Sequence, residues 1–349
     1  MKFTKLAVLI ALMVGIGPTA LAQSAWRSVA VPYYTPPAYV QGLQLGWYAP
    51  HALAFAKSAE RLTQATNAYC AGGPLAAARE GWRDTLLAWD RLSTVAVGPL
   101  VERRTVRRID FGPTRPELLA RAIDSHPANE ADMERVGSAA KGFPALEKLL
   151  WPAAAPKGSA ACDFAVQVAA DIGREADALA QAFAVVSRDE EPDEDKTIAA
   201  MSEAVNQWIG AIEGLRVQGF ERPLRERQSR GTARVTLPRD ASGNSVAERS
   251  ARWQTLSAQA VFEGREAPAP GTGLVPLEPY LRGKGLNPLA DRLVAATSKA
   301  ERDLTAAHRN EPARMQAAAR SLSELKALVE GEVAQALDIH AGFSEADGD

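Results

Sequence analysis

Runs of alternating β-branched residues are almost absent from this 349-residue chain, which argues against a sheet-based fold. Cysteine is scarce: only Cys70 and Cys162 occur, neither beside residues that resemble a metal or catalytic site, and the lack of Cys-x-x-Cys-His excludes that form of covalent haem attachment. Histidine is scarce too. His51, His126, His308 and His340 are widely spaced, without a second His or a carboxylate at a convincing ligand interval, and read as ordinary surface or capped side chains. No sign of charge dominates, since 40 basic and 42 acidic residues nearly cancel, so the overall balance gives no reason to expect nucleic acid or an anionic membrane as partner. The chain has no Gly-x-Ser-x-Gly elbow, no His-Glu-x-x-His, no phosphate-binding Walker loop and no dinucleotide fingerprint after a strand.

The N-terminus is informative. Lys2 and Lys5 precede an apolar run from Leu6 to Ile16, and Ala20-Leu21-Ala22 supplies the small-x-small pattern read by signal peptidase. The run is too short to cross a bilayer core of about 30 Å. Residues 1–22 are therefore expected to be a secretory signal cleaved after Ala22, placing an unlipidated, soluble protein in the periplasm or another exported compartment. No later stretch is apolar enough to span a membrane. In an oxidising compartment Cys70 and Cys162 are a natural disulfide pair, the alternative being two separate buried thiols.

Ala-, Leu-, Glu- and Arg-rich segments with helical spacing predict an all-α fold. After a lead-in from Pro32 to Tyr39, a helix is expected from Leu43 to Tyr69, with Leu45, Leu53, Ala56, Ala59 and Leu62 on or near one face. A second, Leu75 to Leu92, aligns Trp82, Leu86 and Trp89, and an irregular region follows Gly98-Pro99. Further helices are expected at Asp163 to Val186, Ile198 to Gln218, Val246 to Phe262, Leu289 to Arg309 and Pro312 to Ile339. Arg234 to Leu237 and part of Gly271 to Pro279 are expected to be short extended pieces. The acidic run Asp189 to Asp195, broken by Pro192, is the best boundary. It suggests two packed helical-bundle halves, residues 23–188 and 197–349, joined by a linker at 189–196, with a similar helix order that hints at duplication. The tryptophans at 82, 89, 151, 208 and 253 read as core anchors.

Arg107-Arg108-Ile109-Asp110-Phe111-Gly112-Pro113 and Gly142-Phe143-Pro144-Ala145-Leu146-Glu147-Lys148-Leu149-Leu150-Trp151, with Gly98-Pro99 upstream, resemble the imelysin-like proteins. Ser250-Ala251-Arg252-Trp253 is similar to that group's second-half helix pattern, and the ending His340 to Asp349 to the tail of a periplasmic branch. The resemblance implies an all-α fold of two bundle-like halves, a site near their junction and a part in iron uptake among envelope proteins. It also implies a link to metallopeptidases through Gly-x-His-x-x-Glu, whose His and Glu share one helix face and can hold one metal.

Here the motif reads Gly142-x-Pro144-x-x-Glu147, and proline has no side-chain donor. The arrangement that would activate water on a metal is lost, so a binding role in iron uptake is expected in preference to hydrolysis. A divergent metallopeptidase and a non-catalytic envelope adaptor are the alternatives. Glu147, Asp110, Arg107 and Arg108 are the candidate ligand or metal site, Asp347 and Asp349 candidate cation contacts, and iron or another metal ion the implied cofactor. Two plainer readings stay open: Glu147 as a carboxylate in the first turn of a helix after Gly142, and Arg107, Arg108 and Asp110 as a structural ion-pair network.

Overall fold

The first helix starts where the chain supplies both a cap and a preset backbone. The Thr35 hydroxyl accepts the Ala38 N–H at 3.3 Å, and Pro36-Pro37 fill the first helical positions. This helix, α1 (Pro36–Leu43), thus begins inside the expected lead-in and continues through a π turn, Gln44–Tyr48, into α2 (Ala49–Cys70). The π turn lies just ahead of Pro50, which has no N–H to give to the helical ladder. It also shifts the buried stripe, which runs through Tyr48, Ala52, Phe55, Ala59 and Leu62. Leu45 and Leu53, expected on the core face, fall outside it and are 39% and 51% exposed.

The computed structural model describes residues 27, 30–188, 193–230 and 242–340. The signal segment, most of the acidic run and the extended piece expected at Arg234 to Leu237 lie outside these residues. After α3 (Leu75–Ser93) the region expected to be irregular forms five short helices: α4 (Pro99–Glu102), α5 (Thr105–Ile109), α6 (Pro116–Asp124), α7 (Glu130–Arg135) and α8 (Gly142–Leu150). Then come α9 (Ala160–Val186) and α10 (Glu194–Arg216). The latter begins within the acidic run because the Asp193 side chain caps it by accepting the Lys196 N–H at 3.2 Å. The chain closes with α11 (Arg222–Arg230), α12 (Ser245–Ala260), α13 (Leu277–Gly283), α14 (Asn287–Ala306), α15 (Pro312–Leu328) and α16 (Ala334–Ala336). No strand occurs among the described residues, so the fold is all-α. In Gly271 to Pro279 no strand forms: the backbone is extended at Pro276, and α13 occupies the end of the loop. No helix of the described residues is long and apolar enough to cross a membrane.

Helix α2 packs between α3 and α9, and α8 lies against α3 and α9. Downstream, α15 packs on α10 and α14, while α12 reaches back to α3 and α1 meets α10. Trp82, Trp89, Trp151, Trp208 and Trp253 are all buried, as core anchors should be. Cys70 and Cys162 form a disulfide that ties the end of α2 to the start of α9. Gly46 serves a close approach: a Cβ there would stand 2.1 Å from the Leu274 backbone nitrogen, so only glycine lets the 273–274 loop lie on the helix.

Candidate functional site

Trp82 and Trp89 are two helical turns apart on α3 and hold the two stretches that carry the motif. The Trp82 indole N–H donates to the Phe143 carbonyl at 3.1 Å, and that of Trp89 to Asp110 Oδ2 at 3.0 Å. Gly142 explains itself in the same place. Its φ is +76°, and a Cβ would lie 2.2 Å from the Ile109 carbonyl oxygen, so the segment ending α5 crosses the start of α8 only because residue 142 is glycine. Gly112 makes a second contact of this kind, its Cβ position 3.3 Å from Pro144 Cγ.

Helix α8 begins at Gly142, so Glu147 lies beyond its first turn, and the reading of Glu147 as a helix-start carboxylate is not met. The side chain is buried, and its Oε1 accepts the Ser242 backbone N–H at 3.2 Å. The Ser242 carbonyl in turn accepts Arg83 Nε and Nη2 at 3.1 and 2.9 Å. Arg83 and Arg79 both set their guanidinium carbons 5.1 Å from the Trp151 ring centre, a distance suited to cation–π attraction. Two helical turns beyond Arg83 on α3, the fully buried Asp90 accepts Arg252 Nε through Oδ1 at 3.0 Å, and Arg252 Nη2 also reaches Glu248 at 2.9 Å. A buried polar seam thus joins α3, α8 and α12. Asn244 lies just ahead of α12; it is 4% exposed, and its Nδ2 has no hydrogen-bond partner among the described residues.

The four candidate residues do not converge on one point. Glu147 belongs to the seam, and Asp110 is held by Trp89. Arg108 turns to Glu175, 3.3 Å from Oε2, and Arg107 is exposed at the surface. Glu175 is itself buried and gathers Arg103 in a bidentate pair at 3.0 and 2.8 Å together with the Thr105 hydroxyl at 2.7 Å. These hydrogen bonds push the Arg103 guanidinium above its usual value. Arg108 therefore matches the ion-pair reading. Asp347 and Asp349 lie outside the described residues.

The residues present do not fit a metal centre of the motif type. Pro144 offers no donor, one Glu147 oxygen is taken by Ser242, and among the described residues no three His, Cys, Asp or Glu side chains form a group able to hold a metal ion. Ser242, Asn244, Asp90 and Glu248 were not flagged by the sequence. The i,i+4 spacing of Glu248 and Arg252 on an expected helix was the one visible signal; Asp90 meets Arg252 across 162 positions, which no local pattern reveals.

The family model for imelysin matches residues 48–338. The chain belongs to the imelysin family. Among solved structures it is similar to an imelysin-like protein from Psychrobacter arcticum, with 21% identity and a TM-score of 0.71 over 90% of this chain and 100% of that one. It is also similar to a protein from Parabacteroides distasonis named as an iron-regulated protein A precursor, at 16% identity and a TM-score of 0.66, covering 86% and 95% of the two chains. At these identities the two structures speak for the imelysin fold alone. No curated protein matches the chain.

Proposed function

We propose that this imelysin-family protein acts in iron acquisition outside the cytoplasm, binding an iron chelate or the envelope partner that delivers it, and that it does not hydrolyse peptides through a metal. The observation that carries this reading is Pro144 at the motif's His position, with Glu147 beside it engaged by the Ser242 N–H instead of left free to serve a metal-bound water. The iron-regulated name of the Parabacteroides relative and the N-terminal signal pattern support the setting. The seam joins α3 and α8 to α12, which belong to different halves in the division we propose, 23–188 and 197–349. Asp110, Arg107 and Arg108 lie outside the seam; the carboxylates of Glu147 and Asp110 suit a hard cation such as Fe³⁺ and the two guanidinium groups suit the carboxylates of its chelator, each as a separate contact and not as one metal centre.

Calorimetric titration of the mature protein with ferric citrate, against citrate alone, tests the proposal. Saturable binding that weakens at least about tenfold in Glu147→Ala and in the Arg107→Ala/Arg108→Ala double variant is expected, a loss of about 1.4 kcal/mol. Absence of any saturable heat with ferric citrate, or undiminished binding in both variants, would count against this site.

A further inference from the structure

A cavity of about 510 Å³ opens between the end of α2, the α6–α7 turn and the start of α9, on elements other than those of the seam. Four side chains able to hydrogen-bond face it from three separate segments: Asn67 from α2, His126 from the turn, and Asp163 and Gln167 from α9. Asn67, His126 and Asp163 are exposed and Gln167 is half-buried, so their polar groups face solvent in an open depression, where a ligand can reach all four. The Cys70–Cys162 disulfide fastens α2 to α9 at its edge, and buried Phe164 and Pro127 supply apolar surface. His126 is held at φ +46°, a backbone conformation that non-glycine residues seldom adopt. Its amide is fixed there by a 3.1 Å hydrogen bond to the Ile123 carbonyl.

The chemistry of the lining narrows the ligand. No Lys or Arg lines the cavity and Asp163 carries negative charge, so an anion is disfavoured. A single carboxylate with one imidazole is too few ligands for a metal, and no group of three metal-binding side chains is found among the described residues. An extended peptide is read best by a strand edge, and an amphipathic helix by an apolar groove; this cavity is neither. Two carboxamides that both donate and accept, a carboxylate that accepts and an imidazole that does either suit a ligand whose every polar group is both donor and acceptor. Hydroxyl groups on a compact ring have that property, and the ring's C–H face suits the apolar wall. The volume falls within the roughly 300–1,000 Å³ of small-molecule sites.

We propose that this cavity binds a neutral, hydroxyl-rich ligand, a hexose or N-acetylhexosamine unit of a saccharide. Asp163 and Gln167, one helical turn apart, grip adjacent hydroxyls, with Asn67 of α2 and His126 of the α6–α7 turn supplying further contacts. The test is an NMR titration of the amide-labelled mature protein with N-acetylglucosamine and with glucose, following the side-chain amide signals of Asn67 and Gln167. Saturable shifts of these signals are expected with at least one of the two sugars. Asp163→Asn and Gln167→Ala should each weaken binding by about tenfold, the loss of one well-made hydrogen bond; the unfolding temperature should be unchanged in Gln167→Ala and fall only slightly in Asp163→Asn, which takes a carboxylate from the first turn of α9. Shifts that do not saturate with either sugar, or affinity that survives in both variants, would overturn the proposal. So would triglycine or inorganic phosphate saturating the same signals where the sugars fail.

Discussion

Replacing Glu175 by alanine removes the anchor that fastens the Arg103 to Ile109 segment to α9, and the structure lets the cost be worked group by group. The Thr105 hydroxyl is fully buried and loses its 2.7 Å acceptor, which costs about 1–3 kcal/mol when nothing replaces it. Arg103 and Arg108 have side chains 35% and 46% exposed, so each returns to water and each lost pair adds only about 0–1 kcal/mol. The sum is roughly 1–5 kcal/mol of folding stability. Arg103→Ala is milder, about 1 kcal/mol, because the Glu175 carboxylate keeps both Thr105 and Arg108. The double variant should lie within about 0.5 kcal/mol of Glu175→Ala, since the same network is already broken. Urea unfolding at neutral pH with linear extrapolation measures all three. A Glu175→Ala cost below about 1 kcal/mol, or one equalled by Arg103→Ala, refutes the reading of Glu175 as a shared buried acceptor.

Three further outcomes follow from the geometry. Changing both Cys70 and Cys162 to serine opens a link across 92 positions and should lower stability by about 2–4 kcal/mol, read from the urea midpoint against the oxidised wild type; a loss under about 1 kcal/mol contradicts it. Gly142→Ala should cost about 2–5 kcal/mol, from left-handed strain plus the clash with the Ile109 carbonyl, and should appear as a fall in unfolding temperature far larger than for Gly210→Ala, where a Cβ meets nothing. Burial, with the nearby Glu102 charge adding to it, holds the Glu203 carboxyl above its ordinary range against the opposing Gly98 N–H. The folded protein then binds this proton more tightly than the unfolded chain, so Glu203's contribution is present below its unfolded pKa and lost as pH rises through the raised folded one. Glu203→Gln should accordingly raise the unfolding temperature at pH 7 and lose that advantage in acid; a variant no more stable than wild type at pH 7 contradicts the assignment.

The long helices were legible because their apolar spacing is regular. The helix expected from Leu75 to Leu92 is found as Leu75–Ser93, with Trp82, Leu86 and Trp89 buried as the spacing required. The short helices between Pro99 and Leu150 were not, since helices of four to nine residues have little stability of their own and form where tertiary contacts hold them. Glu175 collecting Arg103, Thr105 and Arg108 is such a contact, and it joins residues some seventy positions apart. Leu45 and Leu53 misled because the π turn ahead of Pro50 breaks the regular period. At the site, Pro144 and Glu147 could be read directly as residues of the motif, but not the setting of Glu147. That setting depends on Ser242 and Arg83, brought in from distant parts of the chain, and on Asp90 meeting Arg252. Arg107 and Arg108 were picked out because charge stands out in a sequence, whereas the pairing of Arg108 with Glu175 is decided by packing.

Peptide hydrolysis by the purified protein, assayed with added Zn²⁺ and with and without a chelator, tests most directly whether Pro144 has ended the motif's metal chemistry. The account predicts no chelator-sensitive cleavage, and no difference between the wild type and Glu147→Ala. Cleavage that the chelator abolishes and that disappears in Glu147→Ala would contradict it.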